Sequence, residues 1–155
     1  SPLLFHCARY LPHLRDLHFM LQEEVVDRMA AESGTPAYGR LSVSLQSVFA
    51  VKKLFRVPAG AFRPVPAVES ALVRLTLLGA KRPFVQNRDV FEAVVAAGFG
   101  QRRKTLKNAL QEHIGAAALR QLGVDPGVRA ETLPVAVFAA IANAVALAQE
   151  SSSQS

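Results

Sequence analysis

The sequence predicts an α/β layer followed by a small helical bundle, with the change of texture near residue 83. Three observations carry this. The chain has 155 residues, half of them hydrophobic, which is enough to bury a core and excludes a disordered protein. Ahead of residue 83, β-branched and aromatic runs alternate with a helical pattern; behind it the sequence is Ala-rich and helical throughout. Residues 79–87, with Gly, Pro and Asn, read as the linker between the two.

Taken in order, residues 2–11 predict a helix: Pro2 suits a first turn, and Leu3, Leu4, Cys7 and Leu11 recur at helical spacing. Residues 16–21 are largely apolar and predict a short buried strand. Residues 22–31 predict a helix with Val25, Val26 and Met29 inward and Glu23, Asp27 and Arg28 outward, followed by a loop at Ser33-Gly34-Thr35-Pro36. Residues 41–57 are ambiguous in their first half and favour strand from 48 onward. Residues 58–66 hold three prolines and exclude a regular element. Val73 and Leu77 support a strand over 70–78, with Leu72 and Leu75 out of step.

Behind the linker, residues 88–97 predict a helix carrying Val90, Phe91, Val94 and Val95, broken by Gly98-Phe99-Gly100. Further helices are predicted over 102–113, over 116–122 up to Gly123, and over 133–148 with Val137, Ile141, Ala144 and Val145 inward. Residues 151–155 are expected to be a disordered tail. So few strands leave edges and one face exposed, which predicts that the front half of the sheet is missing. The opening Ser1-Pro2-Leu3-Leu4-Phe5 has neither a methionine nor a charged leader, which predicts a cut inside a longer protein rather than a signal peptide.

The +6 net charge is unevenly distributed. Residues 40–107 hold thirteen basic and three acidic residues, a net +10, while the flanks hold five basic and nine acidic, a net −4. A basic centre suits a polyanion, or a merely solvated surface. No apolar run reaches the roughly 18 residues that span a bilayer. The single cysteine, Cys7, excludes a disulfide within the chain and a Cys-based zinc site, and it sits on an apolar helix face as a structural residue. His6, His13, His18 and His113 show no metal-ligand spacing. Glu23-Glu24 reads as a solvated helix start rather than an acid–base pair, and Gly98-Phe99-Gly100 follows no strand, so it fails as a nucleotide loop.

Two segments stand out. In Phe62-Arg63-Pro64-Val65-Pro66-Ala67-Val68-Glu69-Ser70, alternating prolines hold the backbone extended and give Phe62 a fixed direction. Phe62 is then either plain core or a face for an extruded base, where stacking is worth roughly 1–3 kcal/mol. In Gln101-Arg102-Arg103-Lys104-Thr105-Leu106-Lys107, four cations fall within six residues. On a helix, Arg103 and Lys107 project together, and cations in N-terminal turns oppose the helix dipole, which favours a role in nucleic-acid contact over mere solubility.

Together with Met20-Leu21-Gln22-Glu23-Glu24-Val25, Tyr38-Gly39-Arg40-Leu41-Ser42-Val43, Phe99-Gly100-Gln101 and Arg129-Ala130-Glu131, these segments occur in the order they take in one family. The chain resembles the ribosomal RNA adenine dimethyltransferases, in the bacterial KsgA-type branch, from Ser1 to about Ala148. The resemblance implies the C-terminal part of a Rossmann-like methyltransferase domain over 1–82 and a helical RNA-binding domain over 83–150. It implies that the whole protein transfers methyl groups from S-adenosylmethionine to two adjacent adenines of small-subunit ribosomal RNA, in the cytoplasm, during ribosome biogenesis. The donor loop and the Asn-Leu-Pro-Tyr motif would lie upstream of Ser1, so this chain alone would bind no cofactor and hold no catalytic residue, metal or membrane contact. Phe62 would pack on the flipped adenine. Arg102, Arg103, Lys104 and Lys107 would grip ribosomal RNA, with Arg28 and Arg129 as further phosphate contacts. Val65, Ala67 and Glu69 depart from the usual Pro, Lys and Asp; loss of the Lys is expected to weaken one backbone contact, and the other two changes are tolerable. Two other classes remain open at this stage: a non-catalytic ribosome-binding module of the same fold, and a plain helical interaction domain without RNA affinity.

Overall fold

The structure, a computed structural model, describes residues 16–154. The helix expected over 2–11, with His6 and Cys7, and His13 beyond it lie outside the described residues. Strand β1 (Asp16–Gln22) leads without a loop into α1 (Glu23–Ala30); α2 (Arg40–Gln46), β2 (Phe49–Val57) and β3 (Ser70–Leu77) complete the sheet layer. Helices α3 (Arg88–Phe99), α4 (Leu106–Ala109), α5 (Ala116–Gln121) and α6 (Val135–Ser153) follow.

The sheet runs β1-β3-β2, with β3 antiparallel to both neighbours. Side chains alternate across a strand, so one face of β3 carries Ala71, Val73 and Leu75, all fully buried. Leu75 is therefore in step with the core face and only Leu72 is out of it. Val26 and Met29 of α1 and Leu45 of α2 cover this face. On the other face the register aligns Met20, Leu72 and Phe55 in one row and His18, Arg74 and Lys52 in the next. β1 is consequently not buried as expected. Leu17, Phe19 and Leu21 are half-buried on the core side and the residues between them are exposed. The ambiguous stretch resolves into helix then strand. Ser42, Ser44 and Ser47 make this possible by bonding to backbone or to Glu92 rather than standing unpaired in the interior.

The second core is built on Phe91, Val94 and Val95 of α3, Leu106, Leu110 and Leu119, and Phe138, Ile141, Ala142 and Val145 of α6. The inward face of α6 thus centres on Phe138 and Ala142, where Val137 and Ala144 were expected; the latter two are only half-buried. α6 extends through Ser153, so the expected disordered tail is helical up to that point. By length and composition α6 passes as a candidate membrane span, yet its Phe138–Val145 face lies in this core.

Two features join the cores. Tyr38, ahead of α2, belongs to the helical core; its hydroxyl donates to Leu133 O at 2.7 Å, and burial raises its pKa to about 12. Its ring meets Phe99 edge-on at 5.9 Å, and Phe99 packs on Phe138 at 5.4 Å. At the other end, the Arg88 guanidinium donates to Ser47 Oγ (2.8 Å), Ser44 O (3.0 Å) and Glu92 Oε1 (2.7 Å). Burial pulls its pKa down and Glu92 opposes that.

Candidate nucleic-acid interface

The basic segment does not lie on a helix. α3 runs straight through Gly98 to Phe99, and the expected 102–113 helix shrinks to the four residues of α4. Gly98 is buried inside α3 against Ala130 and Phe138: a Cβ there would stand 3.4 Å from both Ala130 Cβ and Phe138 Cε1, about van der Waals contact. The helix passes the turn at Ala130–Thr132 at this point rather than ending there. Arg102, Arg103 and Lys104 form the exposed turn between α3 and α4, so the dipole argument does not apply to them, and Arg103 and Lys107 are not one helical turn apart.

Local hydrogen bonds fix that turn. Lys104 N donates to Gln101 O (3.1 Å), Leu106 N to Val128 O (2.7 Å) and Lys107 N to Pro126 O (3.0 Å). The last two bonds draw residues 126–129 alongside, and Gly34 N donates to Glu131 O at 2.7 Å. As a result Arg102, Lys104 and Arg129 line one shallow depression with Tyr38, Phe99 and Glu131. Arg102 also lines a cleft of about 610 Å³ with Arg28, Arg56 and the N-terminal turn of α1. The structure therefore brings Arg28, Arg102, Lys104 and Arg129 onto one connected surface. Arg103 and Lys107 are exposed beside it and line neither hollow.

The α1 cleft is a lattice of ion pairs. Arg28 binds Glu24 at 2.7 Å, Lys53 binds Asp27 at 2.9 Å, and Arg56 bridges Glu23 and Glu69. The hydrogen bond that Lys53 Nζ donates to Asp27 raises the Lys53 pKa. By contrast, Arg102, Arg103, Lys104, Lys107 and Arg129 have no ion pair or side-chain hydrogen bond among the described residues. Glu23-Glu24 starts α1 as expected, but Glu23 is half-buried in this lattice rather than simply solvated.

Phe62 stands apart from both hollows. It is half-buried at the end of the turn Ala59–Ala61, with its N–H donating to Ala59 O at 3.2 Å. The segment is not one extended rod: bends interrupt it and Arg63–Pro64 is cis. Its far end is tied to α1, because Glu23 N donates to Glu69 O at 2.9 Å while the Glu69 carboxylate pairs with Arg56. Sequence reading missed Arg56 as the clasp of this loop, since its partners are distant in the chain. No group of His, Cys, Asp and Glu suited to a metal occurs among the described residues.

The fold defines the class. The backbone resembles a dimethyladenosine transferase from Plasmodium falciparum (TM-score 0.77, 22% identity, 91% of this chain and 60% of that one). It also resembles the 23S rRNA methyltransferase ErmE (TM-score 0.64, 20% identity, 93% and 59%). This is a methyltransferase fold, represented here by a small antiparallel sheet and its helices. The model of the ribosomal RNA adenine dimethylase family matches residues 1–147, and the chain belongs to that family. It is similar to ribosomal RNA small subunit methyltransferase A of Aromatoleum aromaticum (53% identity, 94% of this chain, 55% of the relative). The protein of that name from Xanthomonas campestris pv. campestris is also 53% identical, over 92% of this chain and 55% of its own length. The chain thus spans about half the length of the curated relatives it matches.

Proposed function

We propose that this chain is the RNA-gripping part of an S-adenosylmethionine-dependent enzyme that dimethylates two adjacent adenines of small-subunit ribosomal RNA in the cytoplasm, during ribosome biogenesis. Residues 1–82 complete a Rossmann-like catalytic domain and 83–150 form the helical RNA-binding domain. The observation that carries this reading is the convergence of Arg102, Lys104 and Arg129 on one surface with no partner among the described residues. Desolvating a cation in a fold without a partner is costly, so cations held in an exposed turn by backbone bonds are available to phosphate oxygens. Arg103 and Lys107 add to the same field, and Arg28, whose pair with Glu24 is exposed, exchanges that pair for a phosphate at the edge of the α1 cleft.

Phe62 supplies the stacking wall for the extruded adenine. An adenine amine is a weak nucleophile because its lone pair is delocalised into the ring. Holding the ring in line with the donor methyl is then the main contribution this chain makes to rate. The methyl donor is held by the upstream part of the protein, and this chain alone is inactive.

The test is fluorescence-anisotropy titration of a small-subunit ribosomal RNA fragment containing two adjacent unpaired adenines. Arg102→Ala/Arg103→Ala/Lys104→Ala should weaken binding at least about tenfold and flatten the slope of log K against log salt by about 2–3. Unchanged affinity would overturn the reading. In parallel, calorimetric titration of this chain with S-adenosylmethionine should give no heat of binding; micromolar affinity would place a donor site on the wrong part of the protein.

A further inference from the structure

On the far side of Lys104 lies a second cleft of about 290 Å³, bounded by Gln101, Asn108, Gln111, Glu112 and His113. We infer that it is a base-reading subsite for a single-stranded RNA nucleotide whose phosphate is held by Lys104. The inference rests on the reading above, that RNA binds the adjoining basic turn.

The cleft differs from the one beside α1 in a way that matters for ligands. There, each acidic side chain is engaged by an arginine or lysine. Here, none of the six polar side chains makes a hydrogen bond or ion pair with a described residue. Three of them are amides: Gln101, Asn108 and Gln111 each present donors and an acceptor side by side. That pairing matches the edge of a base, whereas a phosphate offers acceptors only. Glu112 sharpens the distinction. A carboxylate repels phosphate and accepts from an exocyclic amine, a ring N–H or a ribose hydroxyl. The volume is at the small end for a ligand pocket, which suits one base rather than an extended ligand. Sequence-specific recognition of RNA mostly uses unpaired bases whose edges are free on all sides, and a cleft for one base suits such a strand.

The leucines between these residues explain how a short sequence builds the site. Leu106, Leu110 and Ile114 are buried in the helical core, so the polar residues interleaved with them face outward.

Anisotropy titrations of this chain with decamers of A, of C, of U and of alternating G and U test the inference. The unsubstituted chain should prefer one of the four by at least about fivefold. Asn108→Ala/Gln111→Ala, at two exposed positions, should shrink that preference to within twofold while leaving the salt slope unchanged. Arg102→Ala/Arg103→Ala/Lys104→Ala should instead weaken all four alike and flatten the slope. Equal binding of the four decamers by the unsubstituted chain, or a preference that survives the amide substitutions, would overturn the subsite but leave the RNA reading standing. Loss of sensitivity to the cation substitutions, or no binding of any decamer, would overturn both. Thermal melting within about 2 °C of the unsubstituted chain confirms that each variant is folded.

Discussion

The clefts on either side of Arg102 and Lys104 are both lined by polar side chains and differ in whether those side chains have partners within the fold. Beside α1, Glu23, Glu24, Asp27 and Glu69 are matched by Arg28, Lys53 and Arg56, so the charges hold the protein together. Beside α4, the cations and amides are left outward with nothing internal to bind. A count of basic residues does not separate the two, because Lys53, Arg56 and Arg88 contribute to the basic centre yet are all engaged within the fold. What distinguishes a binding surface is the absence of an internal partner for a charge that the backbone nevertheless holds in place.

The same contrast extends to the cores, and substitutions can break it. Phe138→Ala removes a fully buried α6 ring that packs on Phe99 at the end of α3 and should cost about 3–5 kcal/mol in urea unfolding. If the two cores unfold as one, the loss appears in a single transition; if they are separable, the helical transition alone moves. Arg88→Met probes the polar joint. It leaves the Glu92 carboxylate and Ser44 O short of a donor, in a site about 29% exposed. The loss should be about 1–3 kcal/mol, discounted for that exposure.

Tyr38→Phe probes the apolar joint. At neutral pH, losing the bond to Leu133 O should cost about 1 kcal/mol. Because the folded pKa is raised from 10.0 to about 12, this tyrosine's contribution is complete below pH 10 and is lost as pH rises through about 12. Stability measured between those values should therefore fall more steeply for the unsubstituted chain than for Tyr38→Phe. An equal slope would mean that Tyr38 is accessible to solvent. The smallest effect belongs to Lys53→Ala, whose pair with Asp27 is partly exposed: under about 1 kcal/mol by the same unfolding measurement.

Much of the sheet layer was legible. The helix over α1 was readable from Val26 and Met29, and the strand character of 48–57 and 70–78 from β-branched residues. β1 was readable as a strand but not as a half-exposed one, because exposure depends on which faces its neighbours cover. The helical part was harder. Gly98 carries the ordinary signature of a helix break, yet it lies buried inside α3 beside Ala130 and Phe138, neighbours far apart in sequence. The 102–113 stretch has helical spacing of leucines, but the chain turns because Leu106 N and Lys107 N bond to Val128 O and Pro126 O. The basic turn was visible as composition; Arg56 as the clasp of the Phe62 loop, and the amide cleft, were not.

The sequence by itself determined the family, the strands ahead of residue 83 and the position of the cations in the chain, because these follow from residue type, local spacing and collinear motifs. Only the tertiary structure decided which of those cations are free and which are bound. That depends on where a carboxylate lies in space, and Glu69 beside Arg56 or Arg129 beside Arg102 is set by packing of distant segments rather than by anything local.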